Sequence, residues 1–114
     1  MGGRLDVALE LFQRSVQIRR ELVAADPDNV GYQRSLSAAL NGLGAMALSA
    51  GDLDQARSCL EECVQIMSKL QAADSTNVGY QKDMGITLSQ LASVLIASGH
   101  LDEARSYSAK NLQM

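Results

Sequence analysis

The chain has 114 residues, of which 46% are hydrophobic and 20% are charged, a composition typical of one small folded domain and not of a disordered chain. A formal net charge of -3 without a basic block argues against a nucleic-acid partner. No apolar run approaches the roughly 20 residues that a membrane span needs. The start of the chain carries no signal-peptide pattern either, so we predict a cytoplasmic protein with no membrane partner.

The sequence repeats itself with a period of 48 residues. The segment that starts at Leu5 returns in altered form at Leu53 and at Leu101. The first two copies align without a gap and share 18 identities, which predicts a repeat architecture in a single domain. The predicted parts of that domain are a disordered start at 1–4, repeat units at 5–52 and 53–100, and a terminal half repeat at 101–114.

Between two kinds of break, apolar residues recur three and four positions apart, as on one face of a helix. The loop around Pro27 offers capping side chains such as Asn29, and Gly51 and Gly99 suit the left-handed end of a helix. The predicted helices, in chain order, are 5–25, 30–50, 53–73, 78–98 and 101–113. Five antiparallel helices stacked in chain order predict an all-α fold, an α-solenoid.

The residue types around the second break resemble the tetratricopeptide repeat. They alternate large and small in that family's order: Leu40, Leu43, Gly44, Ala47, Gly51, Leu53, Ala56, Leu60 and Cys63. The period of 48 exceeds the family's usual period of about 34. In this respect the sequence resembles the long-helix bacterial variety of the repeat. The resemblance implies a superhelix whose concave surface, lined by the first helix of each pair, binds a peptide or a partner helix.

Helical phase places two parallel stripes on that surface. The first holds Arg34, Ala38, Asn41, Ala45 and Leu48, and the second holds Lys82, Ile86, Ser89, Ser93 and Ile96. Arg34 and Lys82 would put two positive charges at one end, which suits a carboxylate or an acidic segment of a protein partner. The alternative is that both are solvated charges on a helix face. Co-chaperone members of the family bind a C-terminal carboxylate with a clamp of Lys, Asn and Arg. At the matching positions of this sequence only Asn41 fits that clamp, so a chaperone-tail receptor is not expected.

Few residues of this chain suit catalysis or metal binding. Cys59 and Cys63 share one helix, and His100 is the only histidine, so we predict buried free thiols and no metal site. Nothing in the sequence suggests a partnered nucleophile, and we therefore predict no enzyme and no cofactor. Tyr32 and Tyr80 are expected to pack against the preceding helix.

The predicted array starts with the second helix of a pair. Four residues of that helix are expected to expose apolar surface: Leu5, Leu9, Phe12 and Val16. Because exposed apolar patches mark interfaces, either the chain is a piece of a longer array or a second copy covers this face in a homodimer. A structural or oligomerisation element that associates through its N-terminal helix is thus the alternative to a binding module.

Overall fold

The computed structural model describes residues 2–112, which form five α-helices in chain order and contain no strand. The helices are α1 Gly2–Ala25, α2 Val30–Ser49, α3 Leu53–Ala73, α4 Val78–Ala97 and α5 Leu101–Leu112. The all-α prediction is confirmed, and the predicted bounds agree closely except at the start of α1. Residues 2–4, predicted to be disordered, form the first turn of α1, since they include no proline and no Ser, Thr, Asp or Asn to cap a start at Leu5. Met1 and residues 113–114 lie outside the described part.

Local side chains determine where the helices begin and end. Asn29 and Asn77 accept hydrogen bonds, each 3.0 Å long, from the backbone N–H groups of Tyr32 and Tyr80. Asp52 caps α3 in the same way, through the N–H of Gln55 at 3.1 Å. These caps satisfy N–H groups that have no partner within the first helical turn.

The two tight turns depend on glycine. Gly51 and Gly99 have φ of +80° and +83°, a left-handed conformation that costs glycine little and other residues more. The N–H of the next residue returns to a helix carbonyl, from Asp52 to Ala47 at 2.9 Å and from His100 to Leu95 at 2.7 Å. Both turns therefore end their helices as the sequence predicts.

The helices pack in two layers. Each helix contacts the next one in the chain, and α2 also contacts α4. Ion pairs join α1 to α3, through Arg20 and Glu62, and α3 to α5, through Arg57 and Glu103. The molecule measures 41 × 35 × 18 Å, and its smallest dimension fits two layers of helices about 10 Å wide. One layer holds α2 and α4 and the other holds α1, α3 and α5, which is the predicted α-solenoid.

Buried side chains continue through the stack without a break between hairpins. The largest that are fully buried are Leu40, Leu60, Met67, Met84, Leu88, Leu91, Leu95 and Val94. Tyr80 lies in the same cluster as Leu70 and is 8% exposed, so the prediction that it packs against the preceding helix is confirmed. No helix within residues 2–112 is both long enough and apolar enough to cross a bilayer.

Candidate binding surface

A cleft of about 370 Å³ opens between α2 and α4, with α3 beneath it. Its lining residues are Arg34, Ser37, Ala38, Asn41, Cys63, Asp83, Ile86 and Thr87. Residues 34–41 of α2 and 83–87 of α4 supply the walls, because residues three or four apart lie on the same helix face. The cleft lies within the surface that the two sequence stripes predict, at its Arg34 end.

An ion pair closes one end of the cleft. Nε and Nη2 of Arg34 donate to Oδ2 of Asp83 at 3.1 and 3.0 Å, and the guanidinium carbon lies 5.3 Å from the centre of the Tyr80 ring. Gly79 leaves room for this arrangement, since a Cβ at that position would be 2.9 Å from Nη2 of Arg34. The predicted pair of positive charges is not formed: Asp83 neutralises Arg34, and Lys82 does not line the cleft.

The floor of the cleft is a hydrogen-bonded polar cluster. Nδ2 of Asn41 donates to Oγ1 of Thr87 at 3.0 Å, and Thr87 donates to the Asp83 carbonyl at 3.0 Å. Sγ of Cys63 lies 3.0 Å from Oγ of Ser37 and 3.4 Å from Oγ1 of Thr87. Ser37 and Thr87 are 3% and 1% exposed, so these bonds satisfy polar groups that water does not reach.

Burial controls the acidity of both thiols. Desolvation raises the pKa of Cys63, partly offset by its hydrogen bonds to Ser37 and Thr87, and desolvation followed by the charge of Glu62 raises the pKa of Cys59. The two cysteines are free and buried, as predicted. Since the thiolate is the reactive form, neither cysteine is set up as a nucleophile.

We expect the raised thiol pKa values to make stability depend on pH. The unfolded thiols lose protons above about pH 8.5, whereas the folded thiols keep theirs until higher pH, so the free energy of unfolding falls as pH rises through this range. Urea denaturation at about pH 7.5 and about pH 9.5 measures the fall. Cys63→Ala should make the decrease in the free energy of unfolding between the two pH values smaller. A decrease as large as that of the wild type would contradict this account.

Beyond the cleft the surface carries no charge. From Ser35 to Ser49 in α2 and from Met84 to Ala97 in α4 every residue is uncharged. The exposed or half-exposed side chains outside the cleft include small, hydroxylic and aliphatic ones: Ala45, Leu48, Ser89, Ser93 and Ile96. Of the predicted binding residues, Arg34 and Asn41 line the cleft, whereas Ala45, Leu48, Lys82, Ser89 and Ser93 lie outside it.

Sequence reasoning missed four of the lining residues: Ser37, Cys63, Asp83 and Thr87. Within each helix they show the expected spacing, since Ser37 precedes Asn41 by four residues and Asp83 precedes Thr87 by four. Polar residues on the otherwise apolar faces of α2 and α4 were the available signal. No comparable pattern in the sequence pointed to Cys63, because this residue reaches the cleft from α3, a helix of the other layer.

Residues 36–70 match the family model described as Tetratricopeptide repeat. This segment is therefore a tetratricopeptide repeat. The match begins inside α2 and ends inside α3, so it spans the turn at Gly51 and the helix faces that pack across it. Repeats of this family generally mediate protein–protein interactions. No curated protein and no solved structure matches the chain.

Most of the apolar residues predicted for self-association lie on the face of α1 that packs against the rest of the protein. Val16 is 5% exposed, and Leu9 and Phe12 pack against the core. The Phe12 ring lies directly against Gly42 of α2, where a side chain would collide with it. Leu5 is half-buried. These side chains dock α1 onto its neighbours, so the predicted patch is not an exposed surface.

Proposed function

We propose that this protein, which contains a tetratricopeptide repeat, is a non-enzymatic interaction module that binds a peptide or a partner helix on the face formed by α2 and α4. The cleft between Arg34 and Thr87 is the observation that carries the proposal, because it is a preformed concavity on the layer that the family resemblance assigns to binding. The cytoplasmic location stays a prediction.

The cleft suits one anchoring side chain of the partner. Ala38 and Ile86 supply apolar walls, and Ile86 is 46% exposed, so an apolar group placed there would remove hydrocarbon from water. Arg34 and Asp83 bring a donor and an acceptor to the rim, and Asn41 brings an amide to the floor. An apolar anchor flanked by uncharged hydrogen-bonding groups therefore complements the cleft best.

The rest of the partner would lie along the uncharged surface. Ala45, Ser89 and Ser93 are small, which lets a helix or an extended segment approach the backbones of α2 and α4 closely. Leu48 and Ile96 add apolar contacts at the far end. Since no fixed charge lies along this path, we propose an amphipathic helix that presents a small or apolar face, in the helix-in-groove mode.

A selection from a displayed library of helical peptides tests the proposal. Peptides enriched on the immobilised wild-type chain are synthesised, and their binding is measured by fluorescence anisotropy. Ala38→Arg fills the cleft with a long charged side chain at an exposed helical position where arginine is a good helix former. We expect at least about a tenfold loss of affinity, and a similar loss for Ile86→Glu.

The matched control is Ala72→Arg, which makes the same substitution at an exposed position of α3, in the opposite layer. It should leave the affinity unchanged. Equal binding by wild type and Ala38→Arg, or equal losses in Ala38→Arg and Ala72→Arg, would show that the peptides bind elsewhere. A library that yields no binder would also count against a peptide-binding groove.

A further inference from the structure

The outer face of α1 carries an apolar stripe that nothing within residues 2–112 covers. Val7, Leu11, Ile18 and Leu22 are 56%, 60%, 57% and 38% exposed. Their spacings of four, seven and four residues place them on one side of the helix. Among the described helices α2 alone packs closely along α1, and α3 reaches it through the Arg20–Glu62 ion pair, so no helix within residues 2–112 packs on the side that carries the stripe.

The internal repeat shows that helices normally cover this face. The positions 48 residues after Leu11 and Leu22 are Cys59 and Leu70, which are 7% and 3% exposed. Ile66, which follows Ile18 by the same interval, packs against the same core cluster. That cluster includes Val16 of α1, so in α3 this face is buried beneath the preceding hairpin. In α1 the same face carries Val7, Leu11, Ile18 and Leu22, and no hairpin within residues 2–112 covers it.

The stripe is complementary to itself. Val7 and Leu22, and likewise Leu11 and Ile18, are equidistant from the midpoint between Arg14 and Ser15. Read in the opposite direction, the stripe therefore has the same spacing. Two α1 helices that pack antiparallel would place each Leu11 opposite Ile18 of the other copy, and each Val7 opposite Leu22. Such a two-fold interface uses the same surface on both subunits.

We propose that the outer face of α1 is a homodimer interface in which two copies of this chain pair antiparallel about a two-fold axis between residues 14 and 15. The interface consists of one helix per subunit and four large apolar side chains on each. It therefore belongs with small interfaces, and we expect dissociation constants on the order of micromolar or weaker.

Charge near the axis gives the dimer a distinctive salt dependence. Arg14 occupies the gap in the middle of the stripe, where the two-fold axis brings it beside Arg14 of the second copy. Because salt screens repulsion between exposed like charges, raising NaCl from about 0.05 to about 0.5 M should tighten the dimer. Arg14→Leu should tighten it further, since it removes the repulsion and completes the stripe.

Sedimentation velocity over a concentration series, up to about 1 mM given the small interface, tests the dimer. We expect Leu11→Glu and Ile18→Glu to weaken association at least about tenfold, with circular dichroism confirming that both variants fold. Val78→Glu is the matched control, because Val78 is an apolar residue of α4 that is 74% exposed. Ala38→Arg, in the cleft, should leave the dimer intact, so this proposal and the proposed binding site can fail separately.

Disulfide trapping tests the direction of pairing. Leu11→Cys mixed with Ile18→Cys should give a crosslinked heterodimer under mild oxidation, whereas either variant alone should crosslink weakly. The native thiols interfere little, because Cys59 and Cys63 are buried. A monomer at every concentration, equal dissociation by Val78→Glu, or stronger crosslinking by Leu11→Cys alone would overturn the proposal.

Discussion

Leu60→Ala is expected to lower the free energy of unfolding by about 2–5 kcal/mol. Leu60 is fully buried, and its side chain lies against Gly44 of α2 in the cluster that joins α3 to α4 and α5. Truncating its isobutyl side chain to a methyl group loses the transfer free energy of the removed carbons and leaves a cavity. The cavity stays open on the α2 side, because Gly44 has no side chain to fill it.

Urea denaturation followed by circular dichroism measures the effect of Leu60→Ala. Leu101→Ala is the control, because Leu101 is 54% exposed on α5 and its truncation should cost much less. Leu60→Met, which nearly conserves volume, should cost less than about 1.5 kcal/mol. Equal losses at Leu60 and Leu101 would mean that the core does not pass through the α2 and α3 crossing.

Gly44→Ala is expected to destabilise the native chain and to stabilise the Leu60→Ala variant. In the native chain a Cβ at Gly44 would lie 2.8 Å from Cγ and 2.9 Å from Cδ2 of Leu60, closer than these atoms can approach. Overpacking of this kind costs about 1–3 kcal/mol, which exceeds the gain of about 1 kcal/mol from replacing glycine inside a helix. In the Leu60→Ala variant the overpacking is absent, and only the stabilisation from replacing glycine inside a helix remains.

A double-mutant cycle over Gly44 and Leu60 measures the coupling free energy between these two positions. Residues in contact show coupling free energies of about 0.5–3 kcal/mol, whereas distant residues behave additively. Additive behaviour of Gly44→Ala and Leu60→Ala would contradict the close approach of α2 and α3 at this point.

The sequence predicts this fold well because its helix boundaries depend on neighbouring residues. Asn29 caps α2 through an N–H three residues away, and Gly51 ends the same helix through its own φ. Both effects act within a few residues, so single-residue chemistry and periodicity are enough to find them. The start of α1 was harder to predict because no capping side chain precedes it.

The binding surface was predictable only in outline. Helical phase correctly assigns Arg34 and Asn41 to one face of α2, but it does not show which groups of α4 they meet. Arg34 pairs with Asp83, 49 residues away, and so loses the free charge that suggested an acidic partner. Lys82 and Asp83 are adjacent in α4 but carry opposite charges. Which of the two lies beside Arg34 depends on how α4 is rotated about its axis in the packed stack.

The sequence by itself determined the 48-residue period, the five helices and their turns, because these follow from local hydrogen bonding, backbone preference and the spacing of apolar residues. The tertiary structure alone decided which apolar face of α1 is buried and which is exposed. Leu9 and Phe12, predicted to be exposed, pack inward, while Leu11 and Ile18 face outward. Both stripes are apolar and helically spaced, so only the position of the neighbouring helices, set by contacts such as Phe12 on Gly42, distinguishes them.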